Sequence, residues 1–504
     1  MTVQGSPTLL NVIANLVGRG WAAVMSIAFV PLYIKFLGVE AYGLIGFYAT
    51  LGGVFGFLDL GLSSTLTREL ARLSANPDSD REMGETLRTL EGVYWVLSAI
   101  ACFAIAVSAA LIAHHWVQPE HLSPDEVRNA VMLMGVVIAL RLPFVLYNGG
   151  MAGLQRQVLL NWITLCTSTL RSVGAAIVLW KIEPTVVAFF LWQAFVAVIE
   201  TSIGAYYAWR SLPNVSFFRS KFSMVALHRM KGFAAGMTGF GLANLVLFQI
   251  DKVVLSKVLP LKQFGYYSLA TVAVGGLSGF LFHPVLNALS PRLCQLVDTA
   301  PEEAVRFYRK SAQLVSLATV PASIVLAVFS GDVLALWTRD PATTAETRTI
   351  LSLLAIGNMT VCLRGAPWML LYAHGNTKMP IRYTVAGVIA LLIVLGTLTP
   401  WLGVNGAAAA SIAGGLVPLA IAARAISELL PNGQTADGLL RDVGRAAFAS
   451  SCAALIVFHL TTLVPTSGWL RLVLAAVLSL ATVALSLDRI RGGLLGLARR
   501  WNVL

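Results

Sequence analysis

The groups able to do chemistry in this chain are a few charges set inside long apolar runs. Five basic residues (Arg19, Arg141, Arg171, Lys252, Arg364) and three acids (Asp59, Glu200, Asp251) lie among Leu, Val, Ile, Ala, Phe and Gly. A charge at the centre of a membrane span costs about 2.5–3.5 kcal/mol on insertion scales, so such residues pair with one another or face a wet cavity. Positive charges outnumber negative ones here, which favours an anionic solute. Arginine suits a phosphate in particular, because its planar guanidinium can donate two parallel hydrogen bonds to it. The expected substrate-contacting set is Asn15, Arg19, Arg141, Arg171 and Arg364. Asp59, Glu200, Asp251 and Lys252 are expected in ion pairs, gating or ion coupling.

Helical spacing groups these side chains. Asn11, Asn15 and Arg19 recur every four residues and form one polar stripe. Thr164, Thr167, Ser168 and Arg171 share a face, as do Asn244 and Asp251, His283 and Asn287, and Thr360 and Arg364. Plainer roles stand beside these. Asp59 can form a structural or gating pair, with Arg68 as one partner. Lys252 can pair with Asp251 or snorkel, and Glu200 is expected to be half-snorkelled. Arg171 can be buried in helix packing by its Thr and Ser neighbours. The Gly149–Gly153 GxxxG reads as close helix packing.

Those residues need spanning helices to carry them, and composition supplies them. The 504 residues are 57% hydrophobic and 12% charged, with a mean hydropathy of +0.76. A soluble domain has about 25% charged residues, so a soluble enzyme, a disordered chain and a secreted disulfide scaffold are excluded. An all-α polytopic membrane protein remains. A span needs about 20 mostly apolar residues. Fourteen stretches qualify: 9–34, 41–66, 89–113, 129–152, 158–180, 185–208, 233–256, 265–290, 311–336, 347–373, 381–400, 404–424, 446–464 and 469–487.

The net charge of +12 would suggest nucleic acid in a soluble protein. Here about 23 of the Lys and Arg fall on one set of connections and about 8 on the other, which the positive-inside rule reads as cytoplasmic and periplasmic. Both termini are then cytoplasmic, and no nucleic-acid partner is implied. The N-terminus lacks the basic region of a cleaved signal. The five cysteines have no CxxC spacing, so neither a disulfide framework nor a metal site is expected. Pro31, Pro143, Pro284, Pro321, Pro367 and Pro418 allow bends in spans.

A repeat is visible. KFLGVEAYGLIGFYATLGG from Lys35 aligns with KVLPLKQFGYYSLATVAVG from Lys257, pairing Gly43 with Gly265 at an offset of 222 (265 − 43). The same offset relates Gly153 and Arg156 to Gly375 and Lys378. Such parallel repeats build transporters. The expected organisation is an N-lobe (1–208), a basic cytoplasmic linker (209–232), a C-lobe (233–424), and two further helices with a cytoplasmic tail (425–504). Each lobe would hold six helices.

No Walker A, HExxH or GxSxG motif is present. An H+ or Na+ gradient, the substrate's own gradient or a partner is left as the energy source, and no cofactor is expected.

The pieces PLYIKFLGVEAYGLIGFY, FLDLGLSSTLTRELA, GLQRQVLLN, NLVLFQIDKVVLSKVLPLKQFGYYSLA, LNALSPRL and HGNTKMPIRYTVAG, in this order, resemble the polysaccharide or O-antigen flippases of the multidrug/oligosaccharidyl-lipid/polysaccharide exporter superfamily. The resemblance implies a V-shaped pair of lobes working by alternating access in the bacterial inner membrane. It implies carriage of an undecaprenyl-pyrophosphate-linked oligosaccharide to the periplasmic leaflet, with a glycan polymerase and chain-length proteins as partners. Lipid II flippases are similar in fold and cationic cavity. The superfamily's cation-coupled drug exporters usually carry a key acid in the first span, where this chain has Arg19, which counts against that alternative. A glycan polymerase or ligase would need a sizeable periplasmic loop, and the longest here, about 114–128, offers His114, His115, His121 and little else.

Overall fold

A computed structural model describes residues 7–74, 76, 79–212, 220–225, 227–228, 249–376, 378–429, 445, 448–460 and 468–486; the side chains of 7–16, 19, 298, 427–429 and 485–486 fall outside that description. The regular elements among the described residues are all helices. Nine of them are long and apolar enough to cross a membrane, and Phe448–Leu460 and Gly468–Ala484 are shorter apolar helices. This is a multi-pass membrane protein. The seventh expected stretch is described only from 249, and half of the 209–232 linker lies outside the described residues.

The chain divides into two compact units, Met1–Gly265 and Tyr266–Leu504. The division falls after the seventh stretch instead of at the linker. The reason is local: residues 256–261 are tied to the connection that follows the third span. Trp116 Nε1 donates to Ser256 Oγ at 3.0 Å, Gln118 Nε2 to Lys257 O at 3.0 Å, and Leu261 N to Gln118 O at 2.9 Å.

The first unit contains α1 (Pro7–Ala28), α2 (Val30–Phe55), α3 (Leu62–Leu73), α4 (Asp80–Leu111), α5 (Pro124–Gly153), α6 (Gln157–Lys181) and α7 (Val186–Arg210). Two of its helices begin where a side chain satisfies free N–H groups. Ser123 and Glu126 form a capping box ahead of Pro124, and Thr185 caps α7. α5 packs against α4 and α7, and α6 against α1 and α7.

The second expected span, 41–66, is shorter than its hydropathy suggested. It closes at Asp59, and Leu60 and Gly61 both take left-handed backbone conformations (φ 47° and 68°). That turn starts α3 as a separate amphipathic helix. Its Leu62, Leu66, Leu70 and Leu73 form one buried face against Leu87, Leu90, Tyr94, Leu146 and Met151. The GxxxG of α5 makes this approach possible. A Cβ on Gly149 would stand 2.6 Å from Ser63 O, and one on Gly153 would stand 2.5 Å from Thr67 O. The motif is close helix packing.

The second unit contains α8 (Leu261–Leu277, starting just before the division), α9 (His283–Thr299), α10 (Pro301–Val328), α11 (Ser330–Thr338), α12 (Pro341–Leu363), α13 (Gly365–Ala373), α14 (Lys378–Leu429) and α15 (Gly468–Ser486). A π-helical turn, Ser278–Phe282, joins α8 to α9. α10 packs against α12 and α15, and α12 against α14. Small residues set the α12–α14 spacing: Cβ atoms on Gly357 and Gly415 would collide with Ser411 Oγ and Thr360 Oγ1.

Backbone breaks fall at positions separated by 222 residues. Gly38 turns the chain by its positive φ (83°) within α2, and its counterpart Pro260 ends the preceding helix. Gly403 (φ 57°) breaks α14 at the point equivalent to Lys181, where α6 stops.

Candidate functional site

In the first unit, three of the expected residues meet around one carboxylate. Arg171 of α6 donates through Nη2 to Glu200 Oε2, and Arg141 of α5 brings its Nε to 3.3 Å from the same oxygen. Thr167, one turn before Arg171, lies 3.3 Å from the other oxygen, Oε1. Glu200 is therefore buried, only 5% exposed, and does not snorkel as its position near a span end suggested. Two guanidinium groups against one carboxylate leave this cluster with a net positive charge.

The local chain explains why Glu200 reaches both arginines. Gly204 of α7 presents no side chain to α5, and a Cβ there would sit 2.7 Å from the Phe144 ring. Thr201 Oγ1 donates to Leu140 O at 2.6 Å, pinning α7 to α5 beside Arg141. A buried ion pair of this kind costs desolvation that its attraction only partly offsets, and losing one partner strands the other charge.

The two arginines are not equivalent. The Arg171 side chain is 17% exposed and is held within α6 and α7. That of Arg141 is 41% exposed, and its Nη1 has one further bond, at 3.4 Å to Tyr48 Oη of α2. Tyr48 was not among the expected residues; a lone tyrosine in an apolar span is indistinguishable by sequence from a core aromatic. Arg171 is thus buried and paired, and Glu200 joins it to the more exposed Arg141.

The expected stripe Asn11–Asn15–Arg19 lies on α1, but those side chains are outside the described residues. α1 itself passes close to α6. A Cβ on Gly18 would stand 2.4 Å from Asn161 Oδ1, and Trp21 Nε1 donates to Thr169 Oγ1 at 2.8 Å.

Arg364 belongs to the second unit and stands at the break between α12 and α13. Its guanidinium carbon lies 5.4 Å from the Tyr383 ring centre, a cation–π contact. No carboxylate among the described residues comes within ion-pair distance of it. Thr360, expected to share its face, is buried and bonds Gly357 O at 2.6 Å, so it belongs to α12–α14 packing. His283 and Asn287 are both exposed on α9, and Asn244 lies outside the described residues.

Asp59 sits at the turn between α2 and α3. Its carboxylate accepts from Ser63 N at 3.2 Å, from Ser63 Oγ at 2.9 Å, and from Tyr94 Oη of α4. These bonds cap the start of α3 and tie it to α4. Asp251 and Lys252 form the expected pair at 3.7 Å.

Two further carboxylates escaped the sequence reading. Glu91 of α4 is buried and gathers Arg88 at 2.8 Å, Tyr147 Oη at 2.5 Å and Trp209 Nε1 at 3.4 Å. Its spacing from Arg88 (i, i+3) was the available signal. Glu40, just past the Gly38 kink, accepts backbone N–H groups of Glu120, His121 and Leu122 at 2.7–3.3 Å. No sequence pattern announces a carboxylate that binds a distant loop. Among the described residues no group of His, Cys, Asp and Glu is arranged to hold a metal ion.

Similarity to known proteins bears on the family and the fold. Residues 8–297 match the sequence model of the family described as "Polysaccharide biosynthesis protein". A protein of Shigella flexneri named "Putative O-antigen transporter" is 22% identical over 399 residues, covering 79% of this chain and 92% of the relative. The succinoglycan biosynthesis transport protein ExoT of Rhizobium meliloti (strain 1021) is 24% identical over 311 residues, covering 59% of this chain and 56% of the relative. Among solved structures, the lipid II flippase MurJ in an inward closed conformation superposes with a TM-score of 0.72 at 14% identity, covering 95% of this chain and 98% of the other. An inward-facing MATE multidrug transporter gives 0.64 at 11% identity, with 83% and 95% covered. At these identities the superpositions speak for a shared transporter fold. With more than half of its length matching the family, the chain belongs to the polysaccharide biosynthesis protein family.

Proposed function

We propose that the protein is a non-enzymatic flippase that moves an undecaprenyl-pyrophosphate-linked oligosaccharide from the cytoplasmic to the periplasmic leaflet of the bacterial inner membrane. Family membership and the transporter names of its relatives support the polysaccharide part. The observation that carries the anionic lipid head group is the Arg141–Glu200–Arg171 cluster, which holds excess positive charge inside spanning helices. A diphosphate cannot enter hydrocarbon without such partners. The polyprenyl tail stays in lipid while the head group and sugars pass along the arginines, Arg364 serving in the second unit as Arg141 does in the first. Arg19 and Asn15 are proposed as further contacts of the same head group.

In this reading the two units alternate access, driven by an H+ or Na+ gradient, with Asp59, Asp251 and Lys252 as coupling or gating groups. Both termini face the cytoplasm, and a polymerase and chain-length proteins receive the product. The test is glycan display in a deletion strain complemented with Arg19→Gln, Arg141→Gln or Arg364→Gln. Surface glycan is expected to disappear at unchanged protein level, whereas full display from all three variants would sink the assignment.

A further inference from the structure

Glu200 occupies the position an anionic solute would want. We propose that it is an internal counter-anion: a phosphate group takes Arg141 from it on binding, and Glu200 reclaims Arg141 on release. This rests on the flippase reading for the identity of the solute, a lipid-linked diphosphate, but concerns a specificity-determining role for a residue that touches no solute itself.

Four observations support it. Both arginines share one oxygen, Glu200 Oε2, so either can leave without exposing a bare carboxylate. Arg171 and Thr167 hold Glu200 from α6, and those groups are mostly buried. Arg141 is held loosely. Its contacts of 3.3 and 3.4 Å exceed the 2.7–2.9 Å usual for a charge-assisted bond, and its side chain is 41% exposed. Its Nη2 has no partner among the described residues, which leaves that end of the guanidinium ready for a phosphate. A diphosphate carries more charge than one carboxylate and offers paired oxygens to the fork, so it can win the exchange. Smaller or neutral solutes cannot, and Glu200 thereby screens the site against weak anions. Because Glu200 remains on Arg171, the carboxylate keeps its place for the return step.

The test uses the full-length chain in nanodiscs and two probes, geranylgeranyl diphosphate and inorganic pyrophosphate, with binding followed by thermophoresis. Removing the competing charge in Glu200→Gln should tighten geranylgeranyl diphosphate binding about tenfold, the effect of deleting a competitor worth about 1.4 kcal/mol. The gain should vanish in Glu200→Gln combined with Arg141→Gln. If Glu200→Gln does not yield folded protein, Glu200→Asp retains the charge on Arg171 but falls short of Arg141, and should show a smaller gain in the same direction. Unchanged or weaker binding in folded Glu200→Gln and Glu200→Asp, with wild type binding the lipid, overturns the counter-anion role and leaves the flippase reading standing. Tighter pyrophosphate binding in Glu200→Gln, with no variant binding the diphosphate lipid, supports the counter-anion role and removes the lipid-linked solute. A gain that survives loss of Arg141 also overturns it.

Discussion

Gly43 and Gly265 pack against each other's chain segment in a reciprocal contact. A Cβ on Gly43 would stand 2.4 Å from Leu261 O, and a Cβ on Gly265 would stand 2.4 Å from Val39 O. Val39 and Leu261 are separated by the same 222 residues as the two glycines, so the repeat copies meet through equivalent atoms. Neither glycine has a positive φ; what each supplies is room. Replacing either with Ala drives a methyl into a carbonyl oxygen and should cost about 1–3 kcal/mol through overpacking. Gly52→Ala, where nothing lies within 4 Å, is the control and should change stability little. Thermal unfolding in detergent reads both, and equal melting temperatures would refute the contact.

Tyr94→Phe should destabilise the protein by about 1–3 kcal/mol, because the Asp59 carboxylate then loses a donor from α4. Ser63→Ala removes only the hydroxyl's bond to Asp59, since Ser63 N still donates to the carboxylate. It should cost less. Comparing the two melting shifts separates the tie between α3 and α4 from the cap itself.

Asp340 caps α12, and its pKa is testable because the residue lies outside the spans. Its carboxylate accepts from Thr343 Oγ1, Thr343 N and Ala342 N, and these bonds, led by the Thr343 hydroxyl, hold its carboxyl below the usual carboxylate range. A depressed folded-state value means stability present above the unfolded pKa and lost as pH falls through the folded one. Asp340→Ala should cost about 1 kcal/mol at neutral pH. The gap from wild type should close as pH drops below about 3.9, the unfolded Asp value. A gap that is constant down to pH 3 would contradict the cap.

Arg364 and Glu200 should separate function from stability. Arg364 has no carboxylate partner among the described residues, so Arg364→Gln should leave the melting temperature close to wild type while abolishing glycan display. Glu200→Ala strands two guanidinium groups and should cost about 3–5 kcal/mol. Melting curves and surface glycan, measured on the same two variants, check this opposite ordering.

The broad class was legible before any coordinates. Hydropathy alone requires spanning helices, since backbone N–H and C=O groups in lipid must be satisfied within each segment. Spacing placed Thr167 with Arg171 on one helical face, and both meet Glu200.

Other features depended on residues far apart in sequence. Glu200 looked half-snorkelled because a residue near a span end has water within reach; burial depends on whether neighbouring helices offer compensating charge, and here α5 and α6 each bring an arginine. Asp59 had Arg68 as a candidate partner, yet its carboxylate meets Ser63 and Tyr94 across the left-handed turn at Leu60–Gly61. Thr360 shares a helical face with Arg364, but Gly415 of α14 takes that space. Sequence determined which charges this protein carries into the membrane. Only tertiary structure decided which neutralise one another, because electrostatic partnership depends on separations of a few ångströms that helix packing alone sets.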